Sequence, residues 1–195
     1  MEHEAVAFDS ITLKFDGKLL FENLTHSLAA GENLLITGAN GSGKTSILRI
    51  LAGELSASKG THRISDFIYM PASPTNPQFR KVEEYFQLVG HAVARDSQFQ
   101  KTVLARIQGK SMADLSSGEF KLAAVARVLS IERSTYLLDE PTVTLDRSVI
   151  ALLVEEIKRL NNLGCSFVIA TNNIEDFREI EFQELFLSND QPRPM

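Results

Sequence analysis

Near the N-terminus, apolar positions recur at every second residue: Val6, Phe8, then Ile11, Leu13 and Phe15. This period predicts a half-buried strand over 6–15, because successive strand side chains point to opposite faces. Asp16-Gly17 supplies a turn, and 19–28 reads as the antiparallel partner. After Gly31-Glu32 comes Asn33-Leu34-Leu35-Ile36-Thr37, a short buried strand, then a glycine-rich loop. At 45–51 the period changes to that of a helix, with Ile47, Leu48 and Leu51 on one side. A further strand is expected at 66–70, stopped by Pro71.

Pro74 and Pro77 break the chain, and two helical patterns follow at 82–93 and 99–107. They form a helical subdomain over roughly 73–120, inserted between strands. Beyond it, 119–129 is helical and 135–138 is a strand. The stretch 146–163 is a long amphipathic helix with an apolar stripe of Val149, Leu152, Leu153, Ile157 and Leu160, capped by Gly164. The β-branched segment 166–170, a short helix and a last strand around Leu185-Phe186-Leu187 complete the pattern, and 189–195 reads as a loose tail. Strands alternating with helices predict an α/β fold with a mainly parallel core sheet. The N-terminal hairpin adds an antiparallel β flank.

Composition narrows the class. The chain has 195 residues, 44% of them hydrophobic, enough for one domain over 1–195 with a sizeable core. Its longest apolar run, Val149 to Val154, is far short of the ~20 residues of a membrane span. Met1-Glu2-His3-Glu4 is acidic with no apolar block after it, so no secretory signal peptide is expected. A single cysteine, Cys165, cannot pair internally, which fits the reducing cytoplasm. At a net charge of −5, no direct nucleic-acid contact is expected.

The chemistry begins at Gly38-Ala39-Asn40-Gly41-Ser42-Gly43-Lys44-Thr45, which satisfies G-x-x-x-x-G-K-[ST] between a predicted strand and a predicted helix. Glycines let the backbone wrap a polyphosphate with consecutive N–H groups facing its oxygens, and the helix starting there adds its positive end. Lys44 supplies a mobile cation, and Thr45, followed by Ser46, offers a hydroxyl to Mg2+. The apolar strand Tyr136-Leu137-Leu138 ends in Asp139-Glu140. Asp139 is placed to hold the Mg2+ shell through water, and Glu140 to orient or deprotonate an attacking water.

Leu115-Ser116-Ser117-Gly118-Glu119 lies before the second motif, and Pro141-Thr142-Val143-Thr144-Leu145-Asp146 follows it. With these segments the chain resembles the nucleotide-binding subunit of an ABC (ATP-binding cassette) transporter, short single-domain type, from about Val6 to Ser188. The resemblance implies the P-loop NTPase fold with a shortened helical subdomain. It also implies MgATP as ligand and a head-to-tail homo- or heterodimer in which Ser116, Ser117, Gly118 and Glu119 of one subunit face the phosphates held by the other. By itself, Ser116 or Ser117 reads as a helix N-cap. Phe15 matches the family's adenine-stacking aromatic and equally fits an ordinary strand core. Asp146 matches the aspartate of the loop coupling the two sites and also the N-cap of the long helix.

Two positions depart from the family. Its loop glutamine is Ala72 here, leaving Gln78 as a substitute only if the proline loop folds back. Its histidine after the strand at 167–170 is Asn172, and all four histidines (His3, His26, His62, His91) lie far earlier in the chain. Asn172 donates and accepts hydrogen bonds but cannot titrate. ATP binding is expected to survive and hydrolysis to be slow. Glu119 adds negative charge near an anion site.

The function expected is an ATP-binding subunit that couples ATP to a separately encoded membrane permease, cytoplasmic and peripheral at the inner face of the membrane. The alternatives are a soluble non-transport ATPase of the same type, or a degenerate ATP-binding partner subunit with little hydrolysis. Several residues have plainer roles. Cys165 reads as a small core residue, and Glu175, Asp176, Glu179, Glu181 and Glu184 as a solvated surface. Lys121 and Arg127 read as a solvated helix face. Tyr85, Phe86 and Phe99 read as a small core of the insertion in preference to a docking patch.

Overall fold

The computed structural model describes residues 4–15, 18–76, 81–87 and 97–188; the side chains of Phe15 and Lys18 lie outside the description. The turn Asp16-Gly17, the end (88–93) of the helical pattern expected at 82–93, Gln78, His3, His91 and the tail 189–195 also fall outside it.

Five parallel strands form the central sheet: β3 (Asn33–Gly38), β5 (Phe67–Met70), β6 (Thr135–Asp139), β7 (Ser166–Ala170) and β8 (Gln183–Leu187), in the order β5-β6-β7-β3-β8. Both faces are covered, so the inner strands read as nearly unbroken apolar runs. The pleat divides their side chains between two cores. Tyr136, Leu138, Phe167 and Ile169 face one, where Tyr136 and Phe167 stack with centroids 5.0 Å apart. Leu34, Ile36, Leu137, Val168 and Ala170 face the other.

The first core is closed by α3 (Gln98–Ile107), α4 (Ser117–Leu129) and α5 (Arg147–Asn161), with α2 (Val82–Gln87) beside them. Tyr85, Phe86 and Phe99 are all buried there, as their helical spacing predicts. The second core is closed by α1 (Lys44–Leu51) and by an antiparallel sheet of order β2-β1-β4, made of β1 (Glu4–Phe15), β2 (Lys18–Ala29) and β4 (Lys59–Ile64). Among the described residues, no helix is long and apolar enough to cross a membrane.

Strand β4 is a departure from the sequence reading, which expects one strand in this stretch, at 66–70. Lys59-Gly60-Thr61-His62-Arg63-Ile64 is a polar edge strand paired with β1, not with β5. Asp66, at φ 41, forms the corner between the two sheets. Gly60 is required where β1 bulges at Ser10, itself at φ 52: Gly60 has φ +89, and a Cβ there would lie 2.5 Å from the carbonyl oxygens of Asp9 and Ser10. Gly60→Ala is therefore expected to cost about 2–4 kcal/mol in equilibrium urea unfolding, well above the ~1 kcal/mol of an ordinary surface change.

Candidate functional site

The site lies at the carboxyl ends of β3, β6 and β7, where open α/β sheets bind ligands. As β3 ends, the chain turns through Gly38 (φ 138), Gly41 (φ 78) and Gly43 (φ 103) into α1. A Cβ on Gly38 would lie 2.3 Å from the Leu187 carbonyl oxygen, and one on Gly43 would lie 2.9 Å from the Phe21 ring. The loop therefore folds only because both are glycine. Gly43 caps α1 without a side-chain acceptor, so the first amides of that helix remain open toward an anion. The buried Ser42 hydroxyl also has no hydrogen-bond partner.

Lys44 is 6% exposed, and its ammonium donates to the carbonyl oxygens of Gly38 (2.8 Å) and Ala39 (3.2 Å) and to Asn172 Oδ1 (2.8 Å). Asn172 Nδ2 donates in turn to Asn40 Oδ1 at 2.7 Å. The residue standing in the family's histidine position thus bridges the loop lysine and the loop tip.

Asp139 closes β6 at 1% exposure, and neither of its carboxylate oxygens has a hydrogen-bond partner. Burial pushes its pKa up. The Thr45 hydroxyl, the Lys121 charge, the Ala72 amide and the Lys44 charge oppose that shift without completing a hydrogen bond to it. A buried carboxylate with no completed hydrogen bond, beside an exposed threonine hydroxyl, is what a partly hydrated Mg2+ requires, and the residues fit that ion.

Glu140 turns sharply off the strand at φ 47, held by its amide donating to the Ala170 carbonyl (2.8 Å). Its Oε2 accepts long hydrogen bonds from the Thr171 hydroxyl and the Asn172 amide, both 3.4 Å. A non-glycine residue held in the left-handed region costs of order 1–3 kcal/mol and is concentrated at functional turns. The structure therefore brings Gly38, Asn40, Gly41, Ser42, Gly43, Lys44, Thr45, Ser46, Asp139, Glu140 and Asn172 to one end of the sheet. Phe15 closes β1, and its side chain is outside the description.

The Leu115–Glu119 turn sits apart: among the described residues, no hydrogen bond joins it to the phosphate loop. Ser116 is the N-cap of α4, its Oγ accepting from the Glu119 amide while the Glu119 carboxylate accepts from the Ser116 amide, a capping box. Lys110 pairs with that carboxylate and, with the Ser116 amide, holds its pKa below the usual range. The charge of Glu119 is thus offset within the chain and does not bear on an anion alone. Gly118 packs on the loop after β6: a Cβ there would lie 3.1 Å from the Thr144 carbonyl oxygen. Asp146 is the N-cap of α5, accepting from the Val149 amide at 3.0 Å. It also pairs with Arg106 of α3 at 2.8 Å; with the Ser148 hydroxyl first, then Arg106 and the Val149 amide, its pKa falls to about 2.

Two residues of α4 depart from the sequence expectation. Lys121 and Arg127 do not line a solvated face. Lys121 is 6% exposed, and its ammonium donates to the Ala72 (2.7 Å) and Asp139 (3.3 Å) carbonyl oxygens. Arg127 lies over the Tyr85 ring, 4.6 Å from its centroid. The signal was available. Around Lys121 the helix reads Phe120, Leu122, Ala123, Ala124, Val125, Ala126, apolar on every side, and such a helix is buried all round. Of the acidic group, Glu175, Glu179, Glu181 and Glu184 are exposed, whereas Asp176 is only half-exposed. Cys165 is half-buried, and its thiol is pushed up by burial, so it is not an activated nucleophile.

A glycine-cradled loop opening a helix, with a buried strand-end carboxylate beside it, defines a P-loop nucleoside-triphosphate-binding protein. Residues 21–143 match the family model of the ABC transporter. The cytochrome c biogenesis ATP-binding export protein CcmA of Rhodobacter capsulatus is 32% identical over 176 residues, covering 86% of this chain and 80% of that protein. The chain therefore belongs to the ABC transporter family, whose ATP-binding domains are ATPases that generally use Mg2+. The spermidine/putrescine import ATP-binding protein PotA of Mycoplasma capricolum is 25% identical over 198 residues, covering 90% of this chain; the chain spans 56% of PotA's length. A solved structure of an ATP-binding subunit of an ABC transporter superposes with a TM-score of 0.81 at 18% identity, over 94% of this chain and 85% of that one, which establishes the shared fold.

Proposed function

We propose that this chain is the ATP-binding subunit of an ABC-type transporter, that it binds MgATP in a head-to-tail dimer, and that it drives a separate membrane permease from the cytoplasmic face. The observation that carries the reading is the convergence of Lys44, the unpartnered Asp139 carboxylate and Glu140 on one end of the sheet. The loop amides of Gly41 to Thr45 and the Lys44 ammonium bind the phosphates, Lys44 exchanging its present carbonyl and Asn172 acceptors for phosphate oxygens. Thr45, and Asp139 through water, would hold Mg2+, which would supply charge neutralisation at the phosphates. Glu140 aligns a water and takes its proton. Ser116, Ser117 and Gly118, at the start of α4, complete the phosphate site of a second subunit, in keeping with their separation from their own loop. Relatives named as import and export ATP-binding proteins support the energising role.

Hydrolysis is slow in this reading, because Ala72 and Asn172 replace two oriented polar groups, each worth ~10²–10³ in rate by analogy with oxyanion donors. That favours a second reading, a partner subunit that binds ATP and leaves hydrolysis to a more complete subunit. Asn172→His decides between them. In the hydrolysing subunit it raises kcat at saturating MgATP by about tenfold or more, measured by phosphate release. A purified protein with no turnover before or after the substitution, yet binding a fluorescent ATP analogue, supports the partner-subunit reading instead. Retention of a multispanning membrane protein by the tagged chain in detergent tests the transport assignment, and its absence from the native membrane fraction overturns it.

A further inference from the structure

Lys121 is the buried cation that the phosphate-site chemistry described above does not use. It stands one helical turn beyond the Ser116 cap, on a helix otherwise apolar around it. Its ammonium reaches the carbonyl oxygens of two residues at the ends of different strands: Ala72, two residues beyond β5, and Asp139, the last residue of β6. These strands are neighbours in the sheet, with Met70 opposite Leu138. One side chain therefore ties three segments together at the point where β6 hands over to Glu140. Burying an ammonium is unfavourable unless it is hydrogen-bonded and faces opposite charge. Both conditions hold, since Asp139 and Glu140 are its charged neighbours.

The location has a specific consequence. The loop that starts at Ala72 carries no side-chain donor at that residue, and Ala72 is anchored through its backbone carbonyl. Glu140 sits in a left-handed conformation that persists only when its surroundings over-determine it. The Asp139 carbonyl, held by Lys121, and the Glu140 amide, held by Ala170, are the two ends of a single peptide unit. That peptide is clamped from both sides, by α4 and by β7.

We propose that Lys121 is a positioning residue. It clamps the Asp139–Glu140 peptide and the Ala72 loop to the helix that begins with Ser116, so that Glu140 and the Ser116 turn keep a fixed relation. This rests on the ATPase reading for its kinetic arm only. The structural arm is independent of nucleotide.

Lys121→Met preserves the length and volume of the side chain and removes the donor, whereas Lys121→Arg keeps a charged donor. In the nucleotide-free protein, hydrogen–deuterium exchange at 70–74 and 139–141 is expected to accelerate about tenfold or more in Lys121→Met, while α1 keeps its wild-type protection. With MgATP, kcat is expected to fall about tenfold or more, with KM and the affinity for a fluorescent ATP analogue within about threefold of wild type. Lys121→Arg is expected to restore most of both. Wild-type exchange in Lys121→Met overturns the proposal, as does loss of protection spread evenly over α4 and the sheet with no rescue by arginine. If Lys121→Met does not fold, Lys121→Leu, which likewise lacks a donor, carries the same test against the same criteria. A wild-type protein without ATPase activity overturns the ATPase reading and leaves the exchange result standing.

Discussion

Glu140→Gln is expected to lower ATP turnover by about 10²–10³, measured as single-turnover phosphate release, while changing the affinity for ATP by no more than about threefold. The substitution is nearly isosteric, and the two contacts that orient this side chain, from the Thr171 hydroxyl and the Asn172 amide, are donors that a Gln oxygen also accepts. What it loses is the capacity to take a proton. With hydrolysis blocked and binding intact, an ATP-dependent dimer is expected to accumulate, visible as a shift in sedimentation. A variant that keeps turnover within about tenfold of wild type removes Glu140 from the role of base. A companion variant separates chemistry from backbone strain. Glu140→Gly relieves the φ of 47 and is expected to gain about 1 kcal/mol of stability, yet be as inactive as the glutamine variant. Because the starting rate is expected to be low, the measurement is sharper in an Asn172→His background.

Most of the architecture was legible before any coordinates, because local and global signals agree along the chain. The strand before Gly38, the strand before Asp139 and the long helix after Asp146 all combine strong periodicity with a cap or a glycine, and each is found within one or two residues. Strand β4 was not legible. Lys59 to Ile64 alternates no apolar face, since it lies at the edge of a sheet with one side in water. The strand–loop–helix setting of Gly38 to Thr45 and the strand-end position of Asp139-Glu140 were legible because each motif directly follows a short apolar strand. The connections between site residues were not. Nothing in the sequence states that Asn172 reaches both Lys44 and Asn40, or that Lys110 offsets the charge of Glu119, because these depend on loop geometry that no short pattern encodes. Lys121 is the instructive miss. Charge alone suggested water, while its apolar neighbours on every side of the helix pointed inward, and the neighbours decided.

Lys44→Ala is expected to weaken MgATP binding by about 10–100-fold and to reduce turnover at least as much as Glu140→Gln. Two effects contribute, and they separate. Toward ligand, the variant removes the charge-assisted hydrogen bonds that an ammonium makes to phosphate oxygens. Toward its own fold, it strands three acceptors that Lys44 satisfies in this structure: the carbonyl oxygens of Gly38 and Ala39 and Asn172 Oδ1. At 6% exposure, water replaces the ammonium only partly, so stability without nucleotide is expected to drop by about 1–3 kcal/mol, measured by urea unfolding. The double variant Lys44→Ala, Asn172→Ala then discriminates. If Asn172 acts mainly by holding Lys44, its removal in the Lys44→Ala background costs little further stability, and the two losses are far from additive. Additive losses would mean that the Lys44–Asn172 bond contributes nothing to the resting loop, and that Asn172 serves Asn40 alone. For ATP binding the expectation is reversed. Asn172→Ala by itself frees Lys44 from a competing acceptor, so it is expected to leave ATP affinity unchanged or tighten it by up to about threefold, even as turnover falls further. Tighter binding with slower turnover, from one substitution, is the signature of a side chain that restrains the loop lysine at rest and serves the reaction once phosphate is bound.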